Sequence, residues 1–128
     1  MKINIKNFEI SNNSPIIIIA GLNVFEDLDM AEKVASELKN ITCKLDIPFI
    51  FKASFDKANR SSVESYRGPG LKEGIKIFNE IKGSLGVPVI TDVHEIEQVE
   101  KISEVADIIQ IPAFLCRQTD LIRAACAT

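Results

Sequence analysis

The sequence predicts an α/β protein, the first four βα units of a (β/α)8 barrel preceded by a short N-terminal β-hairpin. Short β-branched runs alternate four times with longer stretches whose apolar residues recur at helical spacing, the pattern of a parallel sheet joined by helical crossovers. No linker-like stretch, low-complexity tract or charge run interrupts the alternation. Polar groups follow every strand instead of gathering at one place. An open doubly wound sheet, the competing architecture, concentrates its chemistry at one switch point, whereas a barrel draws it from many strand ends.

Ile3, Ile5, Phe8 and Ile10 mark the hairpin, turning near Lys6-Asn7. Ile16 to Gly21 is apolar without alternation, as expected of a strand covered on both faces. Leu28, Ala31, Val34, Ala35, Leu38, Ile41 and Leu45 then recur at helical spacing, with Asp27 as N-cap. Pro48 to Ser54 reads as the next strand. Leu71, Ile75, Phe78, Ile81 and Leu85 mark the second helix, stopped by Gly86 and Pro88. Val89 to Val93 is a strand, and Ile96, Val99, Ile102 and Val105 form a helix. Asp107 to Ala113 is the last strand, and Thr119 opens a helix that runs to Thr128. The polar groups at the strand ends are Asn23, then Lys52 with Ser54, then Asp92 with His94, then Gln110 with Arg117.

Composition narrows the class. A chain that is 46% hydrophobic and 26% charged is an ordinary globular protein. A net charge of −3 and the absence of Trp leave neither a basic field nor stacking platforms for nucleic acid. Ile16 to Ala20 is far too short to span a membrane, and Met1 to Ile10 lacks the apolar centre of a signal peptide. Cys43, Cys116 and Cys126 are odd in number and widely spaced. They fit reduced thiols packed as small hydrophobes in a cytoplasmic protein.

The densest chemistry lies between Lys52 and Ser62. Two lysines, an arginine, an asparagine and three serines crowd the end of a buried strand and the loop beyond it. Arg offers a planar fork of donors, Lys a mobile point charge and Ser a hydroxyl. Ligands of α/β proteins gather outside the carboxyl ends of parallel strands, so the segment predicts a small, multiply anionic substrate carrying phosphate. No Gly-x-Gly-x-x-Gly or Walker-type loop is present, and Arg67-Gly68-Pro69-Gly70 reads as a turn before a helix. Blander roles stand beside the functional ones: Asn23 in a turn, Asp92 as a helix N-cap, Arg60 and Ser61 in a capping turn, Arg117 as a surface residue, Cys116 in packing. His94 is balanced between the two.

Gly21-Leu22-Asn23-Val24, the run from Phe51 to Ser62, Ser65 to Gly70, Thr91 to Glu95, and Ile109 to Leu115 with Arg117 to Asp120 together resemble the 3-deoxy-D-manno-octulosonate 8-phosphate synthase family. The resemblance covers nearly the whole chain, as the family's N-terminal half. A related heptulosonate synthase of the shikimate pathway shares the barrel and the Lys-x-Ser pattern, but Asn59-Arg60-Ser61-Ser62 fits the octulosonate family better.

The resemblance implies condensation of phosphoenolpyruvate with D-arabinose 5-phosphate for the lipopolysaccharide core. Lys52, Ser54 and Lys57 would line the phosphoenolpyruvate side, with Gln110, Pro112 and the backbone at Ala113. Asn59, Arg60 and Ser61 would hold the sugar phosphate. Arg117 would reach a neighbouring subunit of a homo-oligomer, a tetramer in the family. Asn23, Lys57 and Asp92 would be the catalytic group. Metal-dependent members carry cysteine where this chain has Asn23, so the resemblance implies the metal-independent class, without cofactor.

A complete barrel needs about 250 residues, and this sequence stops inside its fourth helix, so the 128 residues are expected to be the truncated N-terminal half of one synthase domain. Four strands alone would leave two unpaired edges and an uncovered inner face. A catalytically inactive half-barrel with weak sugar-phosphate binding therefore stands beside the synthase reading.

Overall fold

A computed structural model describes residues 2–6 and 8–128. An antiparallel hairpin, β1 (Lys2–Ile5) and β2 (Phe8–Ser11), comes first. Asn7, expected in its turn, lies outside the described residues. A parallel sheet follows: β3 (Ile18–Gly21), β4 (Phe49–Lys52), β5 (Val89–Asp92) and β6 (Ile108–Gln110). Its helices are α1 (Leu28–Lys44), α2 (Leu71–Leu85), α3 (Ile96–Ser103) and α4 (Thr119–Cys126). The strands lie side by side in sequence order. That succession has no reversal and no switch point, and it matches the first half of a (β/α)8 barrel.

Strand parity divides the sheet into two faces. Phe49, Phe51, Ala53, Val89, Val93 and Ile109 turn toward the helices and pack with Ala35, Phe78, Ile81, Val99 and Ile102. Phe25 joins this core, its ring edge-on to Phe78 at 4.7 Å. Ile50 and Ile90 turn the other way and meet Ile5, with Phe8, Ile10, Ile17 and Ile108 around them. The hairpin thus covers the amino-terminal end of the inner face with an apolar plug. Two residues further along each strand, the same face carries Lys52, Asp92 and Gln110.

Local signals explain the helix ends. Asp27 caps α1 by accepting the Met30 N–H at 2.7 Å. Gly86 ends α2 at φ +66°, a left-handed position that suits glycine. Lysines then join successive units. Lys39 of α1 donates to the Leu85 carbonyl at the end of α2, at 2.7 Å. Lys82 of α2 donates to the Val105 carbonyl beyond α3 at 2.5 Å and lies 3.1 Å from Asp107.

Three sequence expectations need correction. The first parallel strand is not covered on both faces, since Ile16 and Ile19 are 68% and 52% exposed. The last strand ends at Gln110, short of Ala113. Pro112 cannot donate to a sheet ladder, and Ala113–Leu115 form a 3-10 turn closed by Leu115 N–H on the Pro112 carbonyl at 2.9 Å. The three cysteines are exposed, Cys116 included, and do not serve as packed small hydrophobes. Among the described residues no helix is long and apolar enough to cross a membrane.

Candidate active site

The polar end of the inner face is organised around Asp92, the last residue of β5. The carboxylate is buried and accepts hydrogen bonds from the Ser54 hydroxyl and from His94 Nε2, the latter at 3.1 Å. Lys52 Nζ donates to Ser54 Oγ at 3.0 Å and lies 3.5 Å from the Asp92 carboxylate. Parity brings these groups together: Lys52 and Ser54 are two apart on one chain segment, Asp92 and His94 two apart on the next. Burial alone would penalise the Asp92 charge, but hydrogen bonds from His94 and Ser54 and the Lys52 cation outweigh it. The carboxyl is held well below the usual carboxylate range. Burial is also the largest influence on Lys52 and lowers its pKa, with Asp92 opposing and the Lys57 cation adding to the lowering.

An ionised Asp92 only accepts, so its contact with His94 assigns the proton to Nε2. The ring is fixed further by the Phe55 edge, 5.9 Å between centroids, and by the His94 backbone N–H on the Gln98 side chain at 2.8 Å. His94 Nδ1 is buried without a partner. The structure thus places the His94 side chain beside Asp92. The N-cap of α3 is Glu95, so Asp92 is not spent on capping.

A cleft of about 670 Å³ opens above this network, a size suited to small metabolites. Asn23, Asp92 and Gln110 line it from the strand ends, Lys57 and Asn59 from the loop after β4, and Pro112 and Ala113 from the 3-10 turn. Lys57 takes part in none of the ion pairs among the described residues. Lys52 and Ser54 sit at the root of the site, bonded to Asp92.

Three sequence candidates stand apart. The Arg60 guanidinium is engaged with carbonyls of its own loop, at Lys57 (3.0 Å), Ser62 (3.3 Å) and Val63 (3.2 Å). Ser61 is exposed beside it. Arg117 borders a neighbouring depression of about 600 Å³ with Gln118, Thr119 and Asp120. Sequence reasoning passed over Asp56 and Arg67, which line the cleft as a bidentate ion pair at 2.6 and 2.7 Å. Their separation by a ten-residue loop hides the pairing, although both lie in motifs singled out above. Among the described residues no group of three or more His, Cys, Asp or Glu could hold a metal ion.

The chain is similar to proteins named 2-dehydro-3-deoxyphosphooctonate aldolase. One from Histophilus somni (strain 2336) is 58% identical over 126 residues, covering 98% of this chain and 44% of the relative. One from Colwellia psychrerythraea is 56% identical and one from Pseudomonas putida (strain GB-1) 59% identical, each covered over 45% of its length. The chain thus spans less than half the length of the curated relatives it matches. The family model described as the DAHP synthetase I family matches residues 1–128. A parallel sheet in barrel order, a polar cleft at its carboxyl end and that end-to-end match lead to one conclusion: the chain belongs to the DAHP synthetase I family.

Proposed function

We propose that the cleft is the N-terminal side of an aldol-type condensation site for phosphoenolpyruvate and D-arabinose 5-phosphate. The observation that carries this reading is the Lys52–Ser54–Asp92–His94 network beneath a cleft lined by Lys57, in a chain 58% identical to an octulosonate-phosphate aldolase. C3 of phosphoenolpyruvate bonds to the sugar aldehyde carbon, water adds at C2, and the C2–phosphate bond breaks to release inorganic phosphate. Lys52, Lys57, Ser54, Gln110, Pro112 and the Ala113 backbone serve the phosphoenolpyruvate side. Cations there bring two anions together and stabilise charge that moves in the reaction. Asp92, held ionised by Ser54, His94 and Lys52, orients these groups beneath the cleft, with Asn23 and Lys57 as its catalytic partners.

Asn59, Arg60 and Ser61 take the sugar phosphate, Arg60 exchanging its loop carbonyls for phosphate oxygens. Arg117 completes the site of a neighbouring copy in a homo-oligomer. Asn23 supports a metal-independent reaction, and the protein works in the cytoplasm. These 128 residues supply part of the site, and by themselves they show no turnover and at most weak sugar-phosphate binding.

A second reading, a heptulosonate synthase, is favoured by the description of the family model. Carbon count separates the two: an octulosonate needs a five-carbon aldose phosphate, a heptulosonate a four-carbon one. The test joins this chain to the remaining length of the Histophilus somni relative and measures phosphate release. Release with phosphoenolpyruvate and arabinose 5-phosphate, undiminished by a chelator, is expected. Release only with a four-carbon aldose phosphate supports the second reading, and loss of activity on chelation removes the role given to Asn23.

A further inference from the structure

The loop from Lys57 to Tyr66 carries Lys57, Asn59, Arg60 and Ser61, yet its far end stands in solvent, with Val63 85% exposed. Its base is closed. The Lys57 N–H donates to the Arg67 carbonyl at 2.6 Å and the Gly70 N–H to the Phe55 carbonyl at 3.0 Å, so two limbs run side by side. They approach so closely that a Cβ at Gly68, where φ is +117°, would collide with the Phe55 carbonyl oxygen. Asp56 stands on one limb and Arg67 on the other, joined by two parallel bonds of 2.6 and 2.7 Å. The Tyr66 hydroxyl adds an anchor on the Phe25 carbonyl at 3.1 Å. A guanidinium fork is also what phosphate accepts best, but in Arg67 that fork is already taken by Asp56.

We propose that Asp56 and Arg67 are positioning residues whose ion pair clasps the base of this loop and fixes how far Lys57 and Asn59 project into the cleft. The proposal rests on the cleft being an anion site and adds a role for two residues outside the substrate contacts. It makes a prediction opposite in sign to simple electrostatics. Neutralising Asp56 removes one negative charge from the cleft and frees Arg67, which by Coulomb attraction alone would tighten anion binding. A clasp requires the reverse: the loop loosens and sugar-phosphate use weakens.

Amide hydrogen exchange on the full chain tests the clasp without turnover. In Asp56→Asn, exchange across residues 57–66 should rise about fivefold, the size of a well-formed exposed pair, while Val89–Asp92 stays protected. The exchanged pair, Asp56→Arg with Arg67→Asp, should restore protection. Arg67→Lys, which keeps the charge but lacks the fork, should fall between, and it carries the test where Asp56→Asn does not fold. Unchanged loop exchange in these variants overturns the proposal. In the extended enzyme, Asp56→Asn should raise KM for the sugar phosphate severalfold with a smaller change in kcat, and the exchanged pair should recover it. A lower KM would make Arg67 a ligand held in reserve and overturn the positioning role. An extended parent without turnover would sink the substrate reading, while the exchange result would still decide the clasp.

Discussion

Asp92 receives Ser54 from just beyond the neighbouring strand and His94 from two residues past the end of its own, so one buried charge ties two segments together at the site. A carboxyl whose pKa is depressed by folding contributes stability above its unfolded value, about 4, and loses that contribution as pH falls from there toward the depressed value. Asp56, held low chiefly by its hydrogen bonds from Arg67, acts in the same direction. Asp92→Asn should cost about 3 kcal/mol at neutral pH, since the Lys52 cation stays buried without its counter-charge. The gap in urea stability between wild type and variant should narrow between about pH 5 and pH 3. A gap that stays constant would mean that the Asp92 charge contributes nothing.

At this scale the sequence was legible where parity decides direction. Lys52, Ser54, Asp92 and Gln110, read as the polar groups at the strand ends, follow Ile50, Ile90 and Ile108 at even spacing and share their face. It was illegible where a loop folds on itself. Nothing in Asn59-Arg60-Ser61 foretells that the guanidinium meets three of its own carbonyls, because long side chains choose among acceptors that only the folded loop provides.

The helices were read nearly to the residue because their signals are local: the apolar stripe, Asp27 at one start and Gly86 at one end. Strand limits were overrun, since apolar runs continue past the last ladder bond. At Asp107 to Ala113 the effect of Pro112 outweighed β-branched propensity. Cysteine burial was misjudged because residue type gives an average preference, and Cys43, Cys116 and Cys126 all sit on surfaces. The Asp27 cap supports a direct prediction. Asp27→Ala should lower stability by about 1 kcal/mol, read as a shifted urea midpoint with unchanged slope. An unshifted midpoint would show that the first turn of α1 is held by packing alone.

Across the whole molecule, the inner face is divided along the strands, apolar under the hairpin and polar at the cleft. Ile5 is 6% exposed where it meets Ile50 and Ile90, whereas Ile3 on the same strand is 51% exposed. Ile5→Asp should therefore destabilise the chain by about 3 kcal/mol or more, from a charge with no partner, and Ile3→Asp by less than about 0.5 kcal/mol. Equal effects in denaturant titration would mean that the hairpin does not seal the sheet. The lysine contacts between units carry a consequence for how the chain is made. Lys39 lies 46 residues ahead of the carbonyl it binds and Lys82 lies 23 ahead of its own. On the ribosome each lysine emerges well before its acceptor, so the first and second units each stay unlatched until the next has been synthesised, and closure advances in the direction of translation.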